Sequence, residues 1–159
     1  RREIVMSIFF FFYTTASALT TQRLRMDVIS SNIANVDTTR AKQVNGEWEP
    51  YRKKSVTLKE QEGQFSSFLN SAMGKTGKSG AGNGVKISSI KDDTETPFKL
   101  VYDPANPDAN ADGYVQMSNV DLLKEMVDLI SASRSYEANI TAFNANKNML
   151  TKALEIGKG

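Results

Sequence analysis

A chain of 159 residues has the length of one ordinary domain or two small modules, and 40% hydrophobic with 24% charged residues places it with folding sequences rather than disordered or collagen-like ones. Cysteine and histidine are both absent, which excludes disulfides, thiolate and imidazole metal ligands, and every Ser-His or Cys-His nucleophilic pair. The net charge of +2 is carried by residues 1–36, since 37–117 and 118–159 are each neutral; the densest basic run, Arg52-Lys53-Lys54, is too short for a nucleic-acid footprint and is expected to be a solvated strand or edge.

The N-terminus has the outline of a secretory signal: Arg1-Arg2, a Phe-rich apolar run to Tyr13, and the small-x-small site Ala16-Ser17-Ala18. Glu3 and Ser7 interrupt that outline, and helical periodicity continues past the supposed cleavage site. Steps of four and three from Ile8 give Phe12, Thr15, Leu19, Gln22, Met26, Ile29, Ile33 and Val36, a heptad seam with two polar interruptions. A retained structural helix is therefore expected over residues 1–39, ending near Asn35-Val36-Asp37-Thr38-Thr39, where small polar side chains compete for the backbone. The apolar run is too short to span a membrane, which takes about 20 residues.

From residue 40 to 117 the pattern changes to short segments bounded by Gly, Pro, Asn and Asp. Strands are expected within 44–58 and at 64–69, 84–90, 97–102 and 114–117, forming a small β-rich module. The stretch 74–84 holds five glycines and reads as a flexible loop. Its Gly77-Lys78-Ser79 nearly matches a phosphate-binding loop, but Ala72 stands at the first glycine position, and Gly80, Gly82 and Gly84 oppose the helix start that such a loop requires. Asp108-Ala-Asn110-Ala-Asp112-Gly113 spells the first half of a calcium loop; Asn119 occupies the position of the closing Glu, and Pro104 and Pro107 oppose an entering helix, so a turn is expected. Asp92-Asp93, Glu60 and Glu62 lack a base, nucleophile or oxyanion partner. No catalytic, cofactor or metal site emerges from the residues.

Asp121 is a good N-cap for a helix running to Ile156 and ending at Gly157. Its four-three seam is Leu122, Met126, Leu129, Ser133, Tyr136, Ile140, Phe143, Lys147, Leu150 and Leu154. Leu123, Val127 and Ile130 form a second apolar stripe, more than a two-helix hairpin can cover, so an outside partner is required. Asn139, Asn144, Asn146 and Asn148 give that stretch little intrinsic helicity. The fold class is α+β: N- and C-terminal helices (1–39 and 118–159) paired as an antiparallel coiled coil, with the β-rich module (40–117) between them.

Gln22-Arg-Leu-Arg-Met-Asp-Val-Ile-Ser-Ser-Asn-Ile-Ala-Asn-Val-Asp-Thr-Thr39 resembles the N-terminal signature of flagellar rod and hook axial proteins, and Met126-Val-Asp-Leu-Ile-Ser-Ala-Ser-Arg-Ser-Tyr-Glu-Ala-Asn139 resembles their C-terminal one. Thr94-Glu-Thr-Pro-Phe-Lys-Leu-Val-Tyr-Asp-Pro104, Pro107-Asp-Ala-Asn110 and Gly113-Tyr-Val-Gln-Met117 narrow the resemblance to the proximal rod; Ser118 stands where a proline is usual. The signature residues are Asn32, Ala34, Asn35, Thr38, Tyr136, Glu137, Ala138 and Asn139. The resemblance implies a non-enzymatic, torque-transmitting subunit of a hollow shaft, located in the rod across the periplasm. It further implies export by the flagellar type III apparatus without a cleaved leader, and contacts with copies of itself, other rod proteins and the MS-ring junction. Assembly is expected through Leu19, Met26, Ile29, Ile33, Val36, Leu122, Met126, Leu129, Tyr136, Ile140, Phe143, Leu150 and Leu154. Two readings of other classes remain: a secreted or periplasmic binding module, and a nucleotide-binding enzyme using Lys78 and Ser79.

Overall fold

The computed structural model describes residues 2–61 and 84–156, with side chains from residue 11 onward. The elements follow in the order α1 (Arg2–Ala34), β1 (Lys42–Val44), β2 (Glu47–Glu49), β3 (Lys54–Glu60), β4 (Val85–Asp92), β5 (Lys99–Tyr102), β6 (Tyr114–Met117) and α2 (Leu122–Ile156). The strand expected at 64–69, and the glycine-rich loop up to residue 83 with Lys78 and Ser79, lie outside the described residues. Among the described residues no helix is long and apolar enough to cross a membrane.

Both helices end where local chemistry requires. At the start of α2, Asp121 Oδ1 accepts from the backbone N–H groups of Leu123 at 3.1 Å and Lys124 at 3.4 Å, which otherwise have no intrahelical partner. At the end of α1, the Asn35 side-chain amide donates to Ser31 O at 2.8 Å while its Oδ1 accepts from the Thr38 hydroxyl at 3.2 Å, closing the last turn. Polar residues inside the helices turn back onto their own backbone. The Thr15, Thr20, Thr141 and Thr151 hydroxyls and the Asn139 and Asn146 amides each donate to the carbonyl four residues earlier. Asn-rich α2 therefore satisfies side chains that would otherwise pull the chain out of helix.

The described strands form three two-stranded ladders, β1–β2, β3–β4 and β5–β6. Asn45 (φ 53°) and Gly46 (φ 92°) link β1 to β2; two consecutive left-handed residues make the tight turn that matches the twist of antiparallel strands, and Val44 pairs with Glu47 across it. β5 and β6 pair antiparallel from Lys99 with Met117 to Tyr102 with Tyr114. Their connection contains Asp108 to Gly113, where Asn110 Oδ1 accepts from Asp112 N at 3.0 Å and Tyr114 N at 2.9 Å, and Gly113 adopts φ 82°.

The described chain divides into two compact units, one of Arg1–Arg23, Leu58–Ser88 and Ser133–Gly159, the other of Leu24–Thr57 and Ser89–Ala132. In each unit the two helices pack together with strand residues. In the first, the Phe12 and Phe143 rings meet edge to face at 5.0 Å, and the Ser17 hydroxyl accepts from Val85 N at 3.1 Å. Gly84 lies so close to Ser17 that an added Cβ would overlap that side chain. In the second, Arg25 reaches Asp128 at 3.7 Å and Asn32 reaches Glu125 at 2.9 Å. The six deeply buried apolar residues among those described, Val28, Ile29, Tyr51, Val115, Val120 and Ala132, all belong to this second unit.

Candidate functional site

The second unit is organised around a buried polar knot. Asn32, two residues before the end of α1, is 1% exposed and uses all four hydrogen-bonding positions of its amide. Nδ2 donates to Lys54 O and to Glu125 Oε2, each at 2.9 Å. Oδ1 accepts from Lys54 N at 2.9 Å and from the Tyr51 hydroxyl at 3.1 Å. Glu125, also 1% exposed, completes the knot: Lys53 Nζ lies 2.5 Å from its Oε1 in an ion pair. At that distance the ammonium supplies Oε1 with its compensating charge. A carboxylate this deep needs such a cation, because removing one partner of a buried pair leaves an unsolvated charge.

Three further bonds fix the segment that carries Tyr51, Lys53 and Lys54. Tyr51 N donates to Thr38 O at 3.0 Å and Asp93 N to Lys53 O at 2.7 Å. Lys53 N donates to Asn119 Oδ1 at 2.7 Å, and the same Asn119 amide donates to Asp93 O and Thr96 O. Asn119 and its neighbours Ser118 and Val120 are all buried, and Lys99 Nζ donates to Val120 O at 2.6 Å. The basic run is therefore not the solvated edge expected of it. Lys53 neutralises Glu125, Arg52 lies over the Phe98 ring at 4.2 Å, and Lys54 alone of the three is exposed. The signal missed was Glu125, a charge set among the apolar residues that open α2.

Among the described residues, the two carboxylates with displaced acidities serve turns and ion pairs. Asp108 accepts from Thr39 Oγ1 at 2.7 Å and pairs with the Arg40 guanidinium; Arg40 first, then Thr39, holds its carboxyl below the usual range. Asp93 is lowered by the backbone and side-chain hydrogen bonds of Thr96, with Glu95 N and Lys53 adding smaller contributions. Neither is arranged with a base or nucleophile. Among the described residues no cluster of three or more acidic groups could hold a metal.

The described N-terminal seam positions are sheltered: Thr15 and Ile29 of α1 are buried, and Phe12, Leu19, Gln22, Met26 and Ile33 of α1, with Val36 in the turn after it, are half-buried. The α2 seam is divided. Leu129, Ser133, Tyr136, Phe143 and Leu150 are half-buried, whereas Leu122, Met126, Ile140 and Leu154 are exposed. The residues that α2 buries deeply are Glu125 and Ala132, neither of them on the seam. The second stripe is open, with Leu123 at 76%, Val127 at 66% and Ile130 at 61% exposure. Of the signature residues, Asn32 and Asn35 make the bonds described and Tyr136 is half-buried. Asn139 is also half-buried, Ala34 closes α1, and Ala138 and Glu137 face solvent, the latter 3.2 Å from Arg134.

Comparison with known proteins agrees with both signatures. Residues 12–42 match the family described as flagella basal body rod protein, and residues 111–156 the flagellar basal body rod FlgEFG protein C-terminal family. The flagellar basal-body rod protein FlgC of Bacillus subtilis is 65% identical over 96% of this chain and 100% of its own length. Those of Borreliella burgdorferi and Salmonella typhimurium are 42% and 39% identical over 97% and 96% of this chain, again across their whole length.

Proposed function

The chain belongs to the FlgC family of flagellar basal-body rod proteins and is a structural subunit of the rod rather than an enzyme, and from that premise we propose how it assembles. The terminal helices pair as an antiparallel coiled coil, 1–39 against 118–159, with the 40–117 module inserted. The open face of α2 is then buried on neighbouring subunits. The observation that carries this reading is the exposure of Leu123, Val127 and Ile130 on successive turns of one helix. A stripe of large apolar residues at helical spacing is costly in water and calls for a partner. Leu122, Met126, Ile140 and Leu154 extend the face, while half-buried Leu19, Met26, Ile33, Val36, Leu129, Tyr136, Phe143 and Leu150, with buried Ile29, brace the helix pair that presents it.

A subunit whose interface patch differs from the surface it contacts adds to the next by a contact that does not close, which generates a helical shaft. Such a hollow shaft, at the proximal end of the rod in the periplasm, would carry torque through packed helices to other rod proteins and to the MS-ring junction. Export through the type III apparatus without cleavage is supported by α1 continuing through Ala16-Ser17-Ala18. Replacing Val127 and Ile130 together by Asp tests the assembly face: the purified chain should keep its helical circular dichroism, while rods and motility are lost. Normal rods built from this variant would remove α2's open face from the interface. Intact mass of rod-derived protein tests the leader, and a mature chain beginning at Leu19 would overturn its retention.

A further inference from the structure

We propose that the segment of residues 51–54 is a folding checkpoint: within its unit, α1 closes on α2 only once this strap from the inserted module has docked. The argument follows from how the two helices' polar groups are shared out. Of the four hydrogen bonds made by the Asn32 amide, three go to the strap, namely Lys54 O, Lys54 N and the Tyr51 hydroxyl, and only one crosses to Glu125. The charge of Glu125 is likewise neutralised from the strap, by Lys53 at 2.5 Å. Helices closing without residues 51–54 would therefore leave the Asn32 amide with one partner in four and the Glu125 carboxylate without the Lys53 cation. That species is disfavoured on both counts.

With the strap seated, the same groups are satisfied and closure is permitted. The strap is seated in turn by long-range bonds, from Tyr51 N to Thr38 O, from Asp93 N to Lys53 O, and from Lys53 N to Asn119 Oδ1. Helix pairing thus reports that segments near residues 38, 93 and 119 have already come together. Asn32 and Glu125 act here as positioning residues. Nothing in this inference rests on the rod assembly reading, so the two can fail separately.

Hydrogen exchange of the backbone amides of residues 28–34 in the purified full chain measures opening of α1 directly. Lys53→Met should accelerate their exchange on the order of a hundredfold to a few thousandfold, the range expected when one member of a buried ion pair is removed. Adding Glu125→Met to it should return the rate close to that of the parent, because the charge that needed the strap is gone. A second comparison separates a checkpoint from a merely structural contact. Asn119→Ala, which unseats the strap, should accelerate exchange in the parent but much less in an Asn32→Leu/Glu125→Met background. Unchanged exchange in Lys53→Met, no recovery in the double variant, or equal acceleration by Asn119→Ala in both backgrounds would each overturn the proposal.

Discussion

Replacing Asn32 by Ala or by Asp gives the most direct test of the buried knot. Ala deletes four hydrogen bonds and leaves Lys54 N, Lys54 O, the Tyr51 hydroxyl and Glu125 Oε2 to find other partners. Tyr51 retains a nearby alternative in Ser31 Oγ at 3.4 Å, and exposed Lys54 can draw water to its backbone, so these losses fall at the low end of the usual 1–3 kcal/mol per buried group. Glu125 loses its one hydrogen bond to an amide while 1% exposed, and a bond to a charged group contributes about 1.5–3 kcal/mol. The sum is about 4.5–6 kcal/mol, a large share of the ~5–15 kcal/mol by which a domain is stable. Asp is nearly the same shape, yet it should cost more at neutral pH. Where the amide donated, a second carboxylate oxygen would face Glu125 Oε2 and Lys54 O, each 2.9 Å away. Urea unfolding followed by circular dichroism gives both values. If Asn32→Asp proved more stable than Asn32→Ala, the donor and acceptor assignment of this amide would be wrong.

Other outcomes follow from single sites. The Asp108 pKa is depressed by Arg40 and Thr39, so its contribution to stability is complete above its ordinary value of 3.8 and is lost as pH falls through the lower folded value; Asp108→Asn should flatten the acid limb of a stability–pH profile, and an identical limb would discount the pair. Gly84→Ala should destabilise the first unit by forcing Ser17 away from Val85 N, measurable as faster exchange of the Val85 amide, whereas an unchanged rate would mean that Ser17 yields freely.

Much of the architecture could be read along the chain because its signals are local. Asp121 caps α2, small polar residues end α1 at Ala34, and β6 occupies the expected residues 114–117. The short strands expected within 44–58 are the end of β1, β2 and most of β3, separated because Asn45-Gly46 reverses the chain and Pro50 cannot donate to a ladder. What could not be read was the inward face of α2. Counting the largest apolar residues selects Leu122 and Met126, but a chain that keeps an apolar face open no longer marks its interior by hydrophobicity. Its interior positions are Glu125 and Ala132, one chosen for a distant lysine and the other for its small size. Lys53 and Glu125 are 72 residues apart in sequence, and no local pattern links them.

The uneven distribution of buried residues predicts how the free subunit behaves. All six deeply buried apolar side chains described belong to the unit of Leu24–Thr57 and Ser89–Ala132, while the deeply buried residues described in the other unit are Thr15 and Thr21. Fully burying a Val or Ile side chain contributes about 1.5–3 kcal/mol, which the second unit gains several times over, while the described residues of the first unit show no deeply buried apolar side chain. Its part of α2 carries Asn139, Asn144, Asn146 and Asn148, with Met149, Leu154 and Ile156 exposed. Isolated helices of that composition are marginal in water. Trypsin acting on free subunit should therefore cut first after Arg134, Lys147 and Lys152, and later after Lys53 and Lys124, where the knot and its bonds hold the backbone. In assembled rods the early sites should become resistant as neighbours cover the helix. Equal rates at both sets of sites in the free chain would mean that the second unit's core confers no extra protection, and that order in the helix ends does not depend on assembly.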